Sequence, residues 1–188
     1  MKTTLNSFIV AVIFFSTTYS YAQQKEINIS ESTIHWTGKK VTGEHSGTLN
    51  FNSGFLTFDT GILSGGELIV DMTSLVVTDL KAGQGKEKLE GHLNSDDFFG
   101  IQNHKTAILI IKEALKMDGG YKVTGDLTIK GITNSVSFDL AVDGNAASTI
   151  ISIDRTKYDI KHGSGSFFDN LGDKVINDEF ELAVDLKI

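Results

Sequence analysis

Strict alternation of apolar and polar residues between Tyr121 and Val142 constrains the fold more than any other part of the chain. Two runs carry apolar residues at every second position, and these are Val123, Gly125, Leu127 and Ile129, then Val136, Phe138, Leu140 and Val142. A period of two is typical of a strand with one buried and one solvated face. Residues 131–134 are predicted to be the loop of an antiparallel hairpin. Such a sheet must pack on a second sheet or close on itself, and closure can leave room for a ligand.

The same alternation recurs through most of the chain from residue 34 onwards. Its clearest instance is the last run, which consists of Phe180, Leu182, Val184, Leu186 and Ile188. Turn-rich joints separate the runs, including residues 52–54 between two predicted strands. Short strands at regular intervals favour an all-β sandwich or barrel over βαβ units.

One segment breaks the alternation. Residues 84–99 are too polar for a buried strand, and Leu89 and Leu93 lie four apart, so we predict a short amphipathic helix there. The run 107–111 is apolar at every position, which predicts a strand covered on both faces. Its outer face would be covered by a helix or by a second subunit, the latter giving a homodimer.

The first 22 residues have the pattern of a secretory signal peptide. Lys2 supplies a positive start, residues 8–15 are an unbroken apolar run, and Ser20 and Ala22 are small residues at the expected cleavage site. The alternative is a membrane anchor, but the run is shorter than the ~20 residues that span a bilayer. We therefore expect cleavage after Ala22, a single domain over residues 23–188, and a periplasmic or secreted protein without stable membrane insertion.

Composition excludes several classes of function. The chain has a formal net charge of −7, which disfavours nucleic acid and anionic membrane surfaces as partners. It contains no cysteine, which excludes disulfides, thiolate metal sites and cysteine catalysis. None of the five histidines has the close spacing of a zinc motif, so the sequence predicts no metal site, and it predicts no cofactor.

Two polar residues are candidates for an internal role. His45 lies on the apolar face of its predicted strand, where it is either a core histidine bonded to the backbone or a contact for a ligand head group. Arg155 points inward if Ile151 and Ile153 do, and an inward arginine needs a partner. That partner is a carboxylate or backbone carbonyls, or else a phosphate or carbonyl of a ligand. Ser46 beside His45 lacks a nucleophile elbow, so hydrolysis has little support.

Five sequence elements in the same order resemble the YceI-like family of exported bacterial proteins. They are WTGK at 36–39, GEHSG at 43–47, HLNSDDFF at 92–99, YKVTGDLTIKGIT at 121–133 and DRTKYDI at 154–160. The family usually has a proline after the Asp-Phe-Phe element, whereas this chain has none at 103–106. The resemblance implies a lipocalin-like antiparallel barrel that encloses a long apolar chain, typically a polyisoprenoid or a related lipid such as an isoprenoid quinone.

An apolar chain requires a pocket lined by apolar and aromatic side chains. The residues expected to contact it are Trp36, His45, Phe51, Phe98, Phe99, Leu127, Phe138, Leu140, Ile153 and Arg155. The expected function is non-enzymatic lipid binding for transport or storage. Two alternatives remain open, namely an enzyme that acts on a lipid-like substrate in the same cavity through His45 and Arg155, and a structural barrel filled by its own side chains.

Overall fold

The computed structural model describes residues 22–188, so the signal peptide prediction for residues 1–22 lies almost wholly outside the described residues. The elements in chain order are β1 (Gln23–Glu26), β2 (Thr33–Lys40), β3 (Gly43–Asp59), β4 (Ile62–Val77), α1 (Lys86–Asn94), β5 (Thr106–Met117), β6 (Gly120–Ile129), β7 (Ile132–Asp143), β8 (Ala146–Asp154) and β9 (Ile176–Lys187). Short 3₁₀ turns occupy Arg155–Tyr158 and Gly172–Lys174.

The strands β2 to β9 form a closed antiparallel barrel. The order around the sheet is β3-β2-β9-β8-β7-β6-β5-β4, and β4 pairs again with β3 to close the ring. β1 lies beside β3 from Phe55 to Phe58, beyond the point where the pairing of β2 ends. Every pair is antiparallel, which confirms the predicted all-β barrel. The chain contains no cysteine, so no disulfide contributes to the stability of this fold.

The hairpin of β6 and β7 is present, but its loop is shorter than predicted. Lys130 and Gly131 alone form the turn, with φ angles of 53° and 74°, as in the type I′ turns of two-residue hairpins. Residues 132–134 belong to β7 and pair with residues 127–129. The predicted loop 131–134 is therefore wrong, because tight strand pairing continues to the turn. Val123 still lies opposite Phe138, so both apolar faces point to the same side.

The predicted turn at residues 52–54 is also wrong, because β3 runs through it. The register with β4 shifts between Phe51 and Ser53, which is a bulge that bends the strand. A Cβ at Gly54 would lie 2.7 Å from the side chain of Leu68. Gly54 therefore marks a close approach of two strands rather than a change of direction.

The outer face of β5 differs from the prediction. Ala107, Leu109 and Ile111 point into the barrel and are buried, whereas Ile110 is 38% exposed. Within the described chain no helix covers Ile110, so the expectation of a covering helix there is wrong. Cover by a second subunit stays a prediction.

The helix α1 is shorter than the predicted segment 84–99 and lies at one end of the barrel. It starts after Gly85, whose φ is 99°, and ends at Ser95, whose hydroxyl donates to the carbonyl of His92. The Glu90 carboxylate accepts from the backbone N–H of Val77 at 2.9 Å, which ties the helix to the end of β4. Leu93 is buried and faces the barrel interior. Among residues 22–188, no helix is long and apolar enough to cross a membrane.

The barrel wall is weakest between β7 and β8. These strands pair through three residue pairs only, from Ala141 with Ser148 to Asp143 with Ala146. Further along, the Thr149 hydroxyl donates to the carbonyl of Asp139 at 2.7 Å. The amide of Asn134 donates to the carbonyl of Lys157 in the first 3₁₀ turn. Side chains and this turn therefore complete a wall that backbone pairing leaves open.

We expect Thr60→Asn to stabilise the barrel. Thr60 and Gly61 form the two-residue turn between β3 and β4, and Thr60 has a φ of 50°. This left-handed conformation costs most side chains about 1–2 kcal/mol, and asparagine tolerates it better than a β-branched residue. Chemical denaturation should show a free energy of unfolding raised by about 0.5–1 kcal/mol.

A substitution at the neighbouring position, with the opposite expected effect on stability, serves as the control. Gly61→Ala adds a Cβ in open space at a φ of 82°, so backbone strain alone should lower the free energy of unfolding, by about 1 kcal/mol. Equal stability of Thr60→Asn and the unchanged protein would contradict the assigned turn.

Candidate functional site

A cavity occupies the interior of the barrel. The centres of water-sized spheres can occupy about 150 Å³ of it. A water-sized sphere itself occupies roughly 10–15 Å³, so an interior whose open volume for sphere centres is this large has space that side chains do not fill for several water-sized molecules. The lining residues are apolar apart from Thr149, Arg155, Asn177 and Glu179. A cavity of this kind offers water few hydrogen bonds and suits an apolar molecule.

The structure brings nine of the ten predicted site residues together around this cavity. They are Trp36, Phe51, Phe98, Phe99, Leu127, Phe138, Leu140, Ile153 and Arg155. The strand residues among them lie on five strands of the ring, β2, β3, β6, β7 and β8, whose inner faces barrel closure brings around one space. Their contact with a ligand stays a prediction.

Three aromatic rings gather where the segment after α1 meets β9. The ring centroids of Phe98 and Phe99 lie 6.2 Å apart, and Phe99 meets Phe180 edge to face at the same distance. Phe98 is buried because residues 95–100 turn tightly, with the N–H groups of Phe98 and Gly100 both donating to the carbonyl of Ser95. Aromatic pairs in such geometries add about 0.5–1.5 kcal/mol each beyond burial. The rings therefore form a firm wall at this end of the cavity.

Arg155 is held by the backbone of the barrel end. It is 3% exposed and lies in the 3₁₀ turn after β8. Its guanidinium donates to the carbonyls of Ile160 at 2.7 Å, Asn177 at 2.9 Å and Ile176 at 3.0 Å. Its charge is balanced by Asp178, whose carboxylate lies 3.6 Å away, too far for a hydrogen bond. Of the alternatives for Arg155, the structural one therefore holds, with both carbonyl and carboxylate partners.

The electrostatics around Arg155 follow from this burial. Burial lowers the pKa of the guanidinium, although Asp178 and Asp154 oppose the shift. Burial alone would raise the pKa of Asp178, but hydrogen bonds from Ser164 and Ser166 and the charge of Arg155 lower it below its ordinary value. A lowered carboxyl pKa contributes stability above its unfolded value, which is lost as the pH falls through the folded one. The clamp therefore weakens in acid.

His45 does not line the cavity, and its interpretation as a core histidine bonded to the backbone is wrong. Its Nδ1 lies 2.7 Å from a carboxylate oxygen of Asp79, and its side chain is 29% exposed. The other Asp79 oxygen accepts from the backbone N–H of Ser46 at 3.0 Å. Burial alone would raise the pKa of Asp79, but these hydrogen bonds and the His45 charge lower it. His45 lies near the start of its strand and not in the barrel interior. Its bond to Asp79 therefore links β3 to the residues after β4.

Trp36 combines tight packing with an unused polar atom. A Cβ at Gly47 would lie 2.7 Å from the Trp36 indole, so glycine is required there for the ring to lie against β3. Trp36 is 8% exposed. Its indole N–H has no hydrogen-bond partner among the described residues. A buried donor without a partner costs about 1–3 kcal/mol, so an acceptor on a bound molecule would be favourable here.

Several cavity residues were not among the predicted site residues. Met72, Leu75 and Val136 line the cavity from β4 and β7, and Ile176 and Phe180 line it from β9. Alternation already placed Phe180 and Val136 on an apolar face. It does not reveal how far along a strand the cavity extends.

We expect Arg155→Lys to destabilise the fold by about 2–4 kcal/mol. A lysine keeps the charge, but its point-like ammonium cannot serve three carbonyls in the fixed geometry of the guanidinium. Urea denaturation of this variant should be compared with Lys157→Gln, an exposed neighbour in the same turn, which should change stability by at most about 0.5 kcal/mol. Equal effects of the two substitutions would show that the carbonyl clamp contributes little.

Comparison with known proteins relates this geometry to a family. The model of the YceI-like domain matches residues 26–188. A UPF0312 protein of Staphylococcus aureus (strain USA300) is 38% identical over 85 residues, which cover 39% of this chain and 47% of the relative. A UPF0312 protein of Staphylococcus epidermidis is 35% identical over 80 residues, covering 40% and 44%. The chain thus spans about half the length of the curated relatives it matches.

Solved structures share the fold at low sequence identity. Burkholderia cenocepacia BcnA has a TM-score of 0.67 at 19% identity, covering 85% of this chain and 98% of that one. A polyisoprenoid binding domain from Saccharophagus degradans has a TM-score of 0.58 at 14% identity, covering 88% and 97%. A YceI protein of Campylobacter jejuni has a TM-score of 0.54 at 15% identity, covering 96% and 92%. With the family model matched over nearly all described residues, the chain belongs to the YceI-like domain family.

Proposed function

We propose that this protein is an exported, non-enzymatic binding protein that holds a long apolar lipid inside its barrel for transport or storage. The lipid is a polyisoprenoid or an isoprenoid quinone. The observation that carries the proposal is the unfilled cavity, whose lining is apolar apart from four residues. The description of the related Saccharophagus degradans domain as polyisoprenoid binding supports the same class of ligand.

The physical basis of binding is burial of hydrocarbon. Each CH₂ group moved from water into an apolar site contributes about 0.8 kcal/mol. An isoprenoid tail has almost no groups that form hydrogen bonds. It therefore loses no hydrogen bonds to water when it enters an interior that lacks polar groups along most of its length. The branched and aromatic side chains of Ile153, Leu140 and Phe138 suit such a tail. The closed barrel wall also shields the tail from water along its length, as carriage between two locations requires.

The polar groups of the lining support a ligand with one oxygen-bearing end. The Trp36 indole N–H is buried without a partner among residues 22–188. A quinone carbonyl or a prenol hydroxyl is an acceptor for this N–H. Arg155 is less suited to contact the head group, because it already donates to three backbone carbonyls. We therefore propose the Trp36 N–H, rather than Arg155, as a donor to the head group.

The enzymatic and filled-barrel alternatives receive less support. The enzymatic one needs His45 and Arg155 in one cavity, but His45 bonds to Asp79 outside the cavity lining and Arg155 is engaged with the backbone. The filled-barrel alternative needs side chains to occupy the interior, which conflicts with the remaining space of about 150 Å³. The signal peptide pattern of residues 1–22 supports export, and intact-mass spectrometry of the exported protein should give the mass of a chain that starts at Gln23.

Substitution of Phe138 tests lipid binding. Phe138 lines the cavity and is 8% exposed. Phe138→Asp places a carboxylate on the apolar cavity wall, at a cost of several kcal/mol, and should abolish binding of a fluorescent polyprenyl probe. Phe138→Leu keeps the wall apolar and should retain most of the binding. Circular dichroism must show both variants folded.

The matched control is Ser137→Asp on the next residue of β7. Ser137 faces solvent, and its hydroxyl donates to the carbonyl of Val123 at 3.1 Å. The same charge placed there should leave probe binding within about twofold, because it stays hydrated. Equal loss of binding in Ser137→Asp and Phe138→Asp would show that the assigned face is wrong. An unchanged protein that binds no apolar probe would favour the filled barrel.

A further inference from the structure

Three potential metal ligands meet at the rim of the barrel, although they lie far apart in the sequence. His92 is in the last turn of α1, Asp97 is in the tight turn that follows the helix, and His162 lies in the loop after the first 3₁₀ turn. Their ligating atoms all lie within 4.8 Å of one another. Sequence spacing did not reveal this group, because no two of the histidines lie one, three or four residues apart.

The two imidazole rings are already in contact. Their centroids lie 4.4 Å apart with an interplanar angle of 87°, and His92 also meets Phe98 edge to face at 4.8 Å. Ligands of a tetrahedral zinc ion at about 2.1 Å are separated from one another by roughly 3.4 Å. Small side-chain rotations therefore bring the three donors to bonding distance without movement of the backbone.

The backbone around each donor is fixed by hydrogen bonds. The carbonyl of His92 accepts from both the N–H and the hydroxyl of Ser95, and the carbonyl of Ser95 accepts from the N–H of Phe98 beside Asp97. On the other side, the carbonyl of Gly163 accepts from the N–H of Ile176 at 2.8 Å, and Ser164 is fully buried. The donors are thus presented by preformed turns, which lowers the ordering cost of binding.

The donors themselves remain available. Within residues 22–188, the structure shows no hydrogen bond to the ring nitrogens of His92 and His162 or to the carboxylate of Asp97. An ordinary imidazole is largely neutral at pH 7 and then offers a lone pair, and Asp97 supplies the negative charge that a divalent cation favours. Lys88 is the neighbouring cation that acts against binding.

We propose that His92, Asp97 and His162 form a binding site for Zn²⁺ or another divalent transition metal of similar ligand preference. Two imidazoles and one carboxylate are the donor types that zinc takes, and three protein ligands leave a fourth position for water. The ion lies beside the cavity wall, not in the cavity, because His92 and His162 contact the ring of Phe98 but do not line the cavity. It links the end of α1 to the loop that leads into β9.

Zinc binding to the tag-free protein tests the site without any lipid. After chelator treatment and buffer exchange, isothermal titration calorimetry with ZnCl₂ should give one site per chain. Zinc should also raise the melting temperature, because an ion that binds only the folded state stabilises it. His162→Ala should weaken zinc binding at least tenfold and remove the thermal shift. His162 is exposed, so this variant should fold normally.

A histidine outside the group provides the control. His104 is partly exposed and belongs to no cluster of potential metal ligands in the described residues, so His104→Ala should bind zinc as the unchanged protein does. Asp97→Asn should weaken binding by removal of the charge while it preserves the size of the side chain. Absence of saturable zinc binding in the unchanged protein, or equal affinity in His162→Ala and His104→Ala, would overturn the proposal. Neither result depends on whether the cavity holds a lipid.

Discussion

The pairing of β3 with β4 is the interaction on which the rest of the structure depends. These are the two longest strands, with 17 and 16 residues, and their ladder converts a row of strands into a closed ring. Closure satisfies the backbone hydrogen bonds of both strands at what would otherwise be open sheet edges. It also creates an interior that side chains from eight strands do not fill. Without this pairing the apolar faces would need a second sheet to cover them, and the enclosed volume would be lost.

Polar side chains fasten the barrel at its ends. Arg155 fastens the start of β9 to the turn after β8, and His45 with Asp79 fastens the start of β3 to the residues that follow β4. Between them the cavity lining is apolar apart from Thr149, Asn177 and Glu179, and the indole N–H of Trp36 has no partner among the described residues. This separation of polar ends from an apolar interior also makes the barrel selective. A long hydrocarbon loses no hydrogen bonds when it enters, whereas a strongly polar molecule loses its hydration.

Alternation was sufficient to predict an all-β sandwich or barrel and most of the cavity wall, because a period of two fixes which side chains point inward. The choice of a closed barrel came from the family resemblance. Alternation failed at residues 52–54 and 131–134, where polar and glycine residues resemble turns but stay in strands. It also failed for His45, because burial decreases toward the end of a strand and periodicity does not show where the barrel ends. The group of His92, Asp97 and His162 depends on contacts between distant segments, which no local pattern contains.

Mass spectrometry of the organic extract from the natively purified protein tests the central claim most directly. The protein should be isolated from its own cells without detergent, and the extract should be compared with that of Phe138→Asp prepared in the same way. We expect about one isoprenoid lipid per protein chain, with an oxygen-bearing end and a long apolar tail, and we expect its loss in the variant. An extract that contains no lipid, or the same lipids from both proteins, would contradict it.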